Sequence, residues 1–168
     1  MPYSVGVTTS PQAEGRIAFL LAQVGAHASE AFAVRIREVG LTPSDAGVLR
    51  VLGRSSGMNQ RQLAERLRAT PSRVVALIDS LQQRGLVERV RSETDRRNYE
   101  LHLTTSGKAV SQDLRRLAAQ HETAMSGGLT GSQRDGLAKL LRLVADHQHL
   151  DEGIHPGYQN RASEQEAT

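Results

Sequence analysis

The chain has 168 residues, carries 21 Lys and Arg against 18 Asp and Glu, and contains no cysteine. Disulfides, thiolate metal sites and thiol-based redox sensing within the chain are thereby excluded. No uninterrupted apolar run reaches the length of a membrane span, and the opening MPYSVGVTTSPQAEGR lacks the basic, apolar, small-residue order of a secretory signal, so the expected location is the cytoplasm and no membrane partner is expected.

Residues 1–11 are polar and irregular and read as a tail. Residues 12–40 place Ile17, Leu20, Leu21, Val24, Ala28, Phe32 and Ile36 at helical spacing, with Gly40 as the stop. A second helix follows, with Thr42 as N-cap, Pro43 at the first position and Asp45 in the first turn, where the helix dipole favours an anion. Its inward face is Val48, Leu49 and Leu52. Asn59 opens a third, short helix: its side chain can accept from the Gln62 amide while the Gln62 side chain reaches back. Leu63, Ala64 and Leu67 form the apolar stripe. Thr70 as cap and Pro71 at the first position open a fourth helix, whose buried stripe is Val74, Leu77, Ile78 and Leu81, and Gly85 suits its left-handed end. LVERV and YELHL then read as two strands joined by the polar RSETDRR, with Tyr99, Leu101 and Leu103 on one face and Asn98, Glu100 and His102 on the other. Thr104 caps a fifth helix running to about Met125, with Val110, Leu114, Leu117 and Ala118 inward. Gly127 and Gly128 break it. Thr130 to Gln133 resembles another capping box, and Leu137, Leu140, Leu141 and Val144 stripe a sixth helix. From Asp151 to residue 168 there is no periodicity, and a disordered tail is expected.

The mild net charge of +3 conceals an uneven distribution. Arg50 to Arg97 holds eleven arginines and five acids, a local +6 that leaves −3 for the rest. A basic middle between mildly acidic flanks points to one surface facing a polyanion. Two Phe, three Tyr and no Trp are too few for the stacking platforms of single-strand binders, so duplex nucleic acid is the expected polyanion.

Two short helices joined by a tight turn make a helix-turn-helix. An α-helix fits the major groove of B-form DNA, and its N-terminal end attracts phosphate. The fourth helix carries small and polar residues off its buried stripe: Ser72, Arg73, Val75, Ala76, Asp79 and Ser80, with Thr70 at its start. Arg73 can donate twice to guanine, a contact that discriminates by roughly 1–3 kcal/mol, and Val75 or Ala76 can meet a thymine methyl. The hairpin that follows is a wing. Its tip holds Asp95, Arg96 and Arg97, and arginines there suit phosphate and the narrow minor groove, with Asp95 able to orient Arg97 or the turn.

GLVERVRSETDRRNYELHLTTSGK resembles the MarR family of bacterial transcription regulators, through Gly85, Asp95, Arg97, Leu103, Thr104 and Gly107, and QRQLAERLRATPSRVVALIDSLQQRGL is similar to the family's helix-turn-helix. The implied fold class is mainly α: a winged helix-turn-helix lobe over residues 41–103, flanked by dimerisation helices at 12–40 and 104–150, about six helices and a two-stranded wing in all. The resemblance implies a homodimer on a palindromic operator of double-stranded DNA, probing successive major grooves ~34–36 Å apart, and a repressor released by a small organic or aromatic ligand. The apolar stripes at both chain ends agree with a symmetric partner. His27, Phe32 and Arg50 are nominated for the ligand pocket. No cofactor and no metal are expected: His147 and His149 on a helix would point ~200° apart. The chain has no HExxH, GxGxxG, P-loop or GxSxG, so an enzyme is not expected. The competing reading is a winged-helix interaction or dimerisation module that does not bind DNA.

Overall fold

The computed structural model describes residues 16–92 and 98–150. In chain order these form α1 (Arg16–Glu38), α2 (Pro43–Arg54), α3 (Gln60–Leu67), α4 (Pro71–Gln83), β1 (Val87–Arg91), β2 (Tyr99–Leu103), α5 (Thr105–Ser126) and α6 (Gly131–His147). The fold is mainly helical, as the periodicity indicates.

Helix starts are set by side chains that satisfy otherwise orphaned amides. Thr42 and Asp45 cap each other's backbone at 3.1 and 2.9 Å, making Asp45 a full capping-box partner as well as a first-turn anion. Asn59 and Gln62 do the same at 2.9 Å in both directions. Thr130 and Gln133 repeat the motif at α6. Thr104 accepts from the Gly107 amide at 3.0 Å and donates to the Gly85 carbonyl at 2.6 Å, tying the start of α5 to the end of α4. Gly40 and Gly85 take φ of +70° and +67° at their helix ends. The end of α3 is different: Arg68, not a glycine, adopts φ 49°, and the Ala69 amide closes on the Ala64 carbonyl at 3.0 Å.

The antiparallel hairpin pairs Val87 with Leu103 through Arg91 with Tyr99. Leu101 and Leu103 are buried, whereas Tyr99 on the same face runs past the core and is exposed. The sheet has an unexpected neighbour. The Leu101 amide donates to the Met58 carbonyl at 2.9 Å and the Gly57 amide donates back to Leu101 at 3.1 Å, so the turn before α3 edges β2.

The core is assembled from α2, α3, α4 and the hairpin: Val48, Leu49, Leu52, Leu63, Leu67, Val74, Ile78, Leu81, Val87 and Leu101 are essentially inaccessible. α1 gives it Ile36, with Phe32 half-buried alongside, and α5 gives it Leu114. Val110 and Leu117 are half-buried, but Ala118 is exposed. No residue of α6 is buried. The expected stripes of the outer helices exist and lie open: Ile17 is 67% exposed and Leu140 63%. At 23 residues, α1 has the length and composition of a membrane-crossing helix, although its sequence is interrupted by polar and charged residues.

Candidate nucleic-acid interface

One side of α4 packs on the core through Val74, Ile78 and Leu81, so the other must face outward. Ser72, Val75, Ala76, Asp79 and Ser80 are exposed there, as the sequence indicates. Thr70 stands at the N-cap position but makes no capping hydrogen bond. Its Oγ1 lies 3.3 Å from the Ser72 hydroxyl instead, which corrects the expected cap. α4 therefore begins without the side-chain cap that α2, α3, α5 and α6 carry, and its positive end is presented to the surface. A phosphate oxygen fits such an end.

Three arginines hold α4 in place rather than offering free charge. Arg73 is half-buried and its Nη2 donates to the Ser44 hydroxyl at 3.0 Å, so its guanidinium is engaged with the first turn of α2. Arg84, just past α4, donates to the Gly40 carbonyl at 2.8 Å and approaches Asp45 at 3.5 Å, bracing the α1–α2 turn. Arg89 of β1 reaches back to Asp79 and Gln82 on α4, each at 2.5 Å. With its amide oxygen turned inward, Gln60 at the start of α3 also accepts from Arg89, at 2.7 and 3.2 Å. One planar guanidinium thus joins the hairpin, α4 and the start of α3, a role that needs its fixed fork of donors. The count of eleven arginines overstated the surface charge, because sequence cannot distinguish a strut from a patch.

The ladder continues past the strands to a Ser92 amide donating to the Asn98 carbonyl at 3.0 Å. Asp95, Arg96 and Arg97, the expected wing tip, lie outside the described residues. On the outer face of β2, Ser56 Oγ lies 2.9 Å from His102 Nδ1, and His102 Nε2 lies 3.4 Å from Glu100. A hydrogen bond from Ser92, assisted by His102, holds the Glu100 carboxyl below its ordinary range. This link between wing and α2–α3 turn depends on the unforeseen docking at Met58.

A cavity of about 570 Å³ opens where α1, α2 and α5 meet. Phe32 and Arg50 line it, together with Arg54, Arg115 and His121. The nominated His27 is not among the lining residues, although Ala28, its neighbour on α1, is. The His121 ring sits 5.2 Å from that of Phe32, tilted by 41°. Burial pushes the imidazole below its usual range. Arg35 pushes the same way, Glu122 opposes, and His27 adds a smaller push downward. Sequence reasoning missed His121, since a histidine in AAQHETA looks like a solvated helix face.

Comparison with known proteins follows the same outline. The model of the MarR family matches residues 39–98. A Thauera aromatica protein named for transcriptional regulation of the hcr operon is 31% identical over 103 residues, 61% of this chain. The match spans only 62% of that relative's length. The repressor MdtR of Bacillus subtilis is 35% identical over 68 residues, 40% of this chain and 44% of its own. Among solved structures, the transcriptional repressor CouR, bound to a 23-mer DNA duplex, aligns with a TM-score of 0.69 and 31% identity, covering 86% of this chain and 99% of that one. Apo MarR from E. coli gives the same TM-score at 22% identity, covering 76% and 95%, a likeness of fold. With helix order, wing, matched segment and full-length relative in agreement, the chain belongs to the MarR family of winged helix-turn-helix transcriptional regulators.

Proposed function

We propose that the protein binds a palindromic operator in double-stranded DNA as a homodimer, in the cytoplasm, and represses transcription until a small organic acid enters the cavity between α1, α2 and α5. The observation that carries the reading is α4: an uncapped helix start and a face of small and polar side chains, braced by Arg73, Arg84 and Arg89 beside a hairpin. CouR, similar along nearly its whole length, is bound to a DNA duplex. Thr70, Ser72, Val75 and Ala76 meet the major groove, with Arg73 turning from Ser44 toward a base or holding α4 for them. Asp95, Arg96 and Arg97 serve the minor groove. The second copy covers α1 and α6, where Ile17, Phe19, Leu20, Leu140 and Leu143 are roughly half to two-thirds exposed in one protomer.

The test is a fluorescence-anisotropy titration against inverted-repeat duplexes enriched from a random pool. Affinity should fall by ~10³-fold or more between ~50 and ~200 mM salt, as counterions are released from several phosphates. Arg97→Ala should weaken binding at least about tenfold at fixed salt while leaving the dimer intact. A flat salt profile, or no preference for inverted repeats, rejects the reading in favour of a winged helix that engages protein.

A further inference from the structure

The polar wall of the α1–α2–α5 cavity is cationic: Arg50 and Arg54 come from α2 and Arg115 from α5, while Glu122 is the single lining acid among the described residues. His121 stands in the same wall. Its Nδ1 is buried and meets no hydrogen-bond partner among the described residues. A buried nitrogen without a partner is costly, and a bound molecule with a hydrogen-bonding oxygen would remove that cost. Phe32, packed against the imidazole, supplies an apolar face for a ring.

The charges around His121 decide its protonation. Arg35 and His27 act on it from α1, Arg50 and Arg54 share the cavity from α2, and Arg115 and Glu122 lie on its own helix. Among the described residues only Glu122 favours the imidazolium, and burial adds to the opposition, so the ring is neutral near neutral pH. A carboxylate among the three arginines changes this balance: it adds a second negative charge to that of Glu122 and brings an acceptor to a ring whose Nδ1 has no partner among the described residues.

Resting on the effector reading above, we propose that the cavity takes up an arenecarboxylate together with one proton, the carboxylate lying against Arg50, Arg54 and Arg115 and the proton passing from solvent to His121. No covalent bond to the ligand is made or broken; solvent loses one proton and the imidazole gains it. The sign follows from linkage. His121 has a lower pKa in the empty protein than in the occupied one, so the bound state holds more protons in the interval between the two values. Within that interval affinity rises by up to about tenfold for each unit by which pH falls, and it is flat outside it. A carboxylic acid with an ordinary pKa stays ionised throughout, so the proton is the protein's.

The experiment is calorimetric titration of the full-length protein with benzoate, at pH near 6 and near 7.5, each in two buffers of different protonation enthalpy. The expected result is tighter binding at the lower pH and net uptake approaching one proton, lost in His121→Gln, whose melting curve reports its folding. The His121 Cε1–H resonance of the wild-type protein gives a second measurement, and its titration midpoint should move up with benzoate. Benzoate binding with no proton uptake and a stationary His121 midpoint overturns this inference and leaves the effector site standing. Absence of benzoate binding at tens of millimolar overturns both.

Discussion

Gly107→Ala should destabilise the protein, although it places the best helix former inside a helix. A Cβ built on Gly107 falls 1.9 Å from the Leu86 carbonyl oxygen and 2.9 Å from its carbon. Both are backbone atoms, so no rotamer change relieves the contact. Real Cβ atoms stay beyond 3.0 Å, and the first turn of α5 would have to retreat by about 1.1 Å. Retreat is resisted, because the Thr104 amide donates to that same Leu86 oxygen at 3.2 Å and the Thr104 hydroxyl to Gly85 at 2.6 Å. Overpacking typically costs about 1–3 kcal/mol and occasionally more, and fixed backbone atoms put this site at or above the top of that range. Helix propensity returns about 1 kcal/mol. The net loss of roughly 1–3 kcal/mol corresponds to a fall in Tm of about 3–10 °C for a chain of this size. Thermal and urea melts of wild type, Gly107→Ala and a control, Gly131→Ala, where the added methyl meets open space, measure it. A Gly107→Ala protein as stable as wild type, or more so, would refute the steric reasoning and leave propensity in charge.

Arg89→Ala removes the donors shared by Asp79, Gln82 and Gln60, so the hairpin and α4 lose their common anchor. Operator affinity should drop about tenfold, with Arg89→Lys recovering only part, because an ammonium is a point donor and not a fork. Full recovery by lysine in the anisotropy titration would show that charge alone matters. Leu140→Glu puts a carboxylate on the open face of α6, where a single protomer tolerates it. Light scattering should then report monomers at micromolar concentration, and a persistent dimer would place the partner contact elsewhere.

The sequence exposed the features governed by local chemistry. Periodicity located each helix, and the reciprocal caps at Asn59 and Thr130 follow from spacing alone. Gly40 and Gly85 were legible as stops because glycine is the residue that takes positive φ without strain. Arg68 was not, since an arginine held left-handed by its surroundings leaves no compositional trace. Thr70 looks like any other cap, but its hydroxyl turns to Ser72, and neighbouring geometry decides between the two. Arg73, Arg84 and Arg89 were counted as surface charge because partners up to 44 residues distant are invisible to a window along the chain. The Met58 pairing and the cavity at His121 belong to the same class: each exists only once separate segments have met.

Every buried apolar side chain among the described residues falls between Ile36 and Leu114. The middle of the polypeptide therefore has a core of its own, while under the homodimer proposed above its two ends would gain shelter by encountering another copy. With the pair as the working form, dilute chains would sit folded at the centre yet incompetent, and the pair's abundance would climb as the square of the lone chain's. Modest changes in synthesis would then be amplified before any effector arrives.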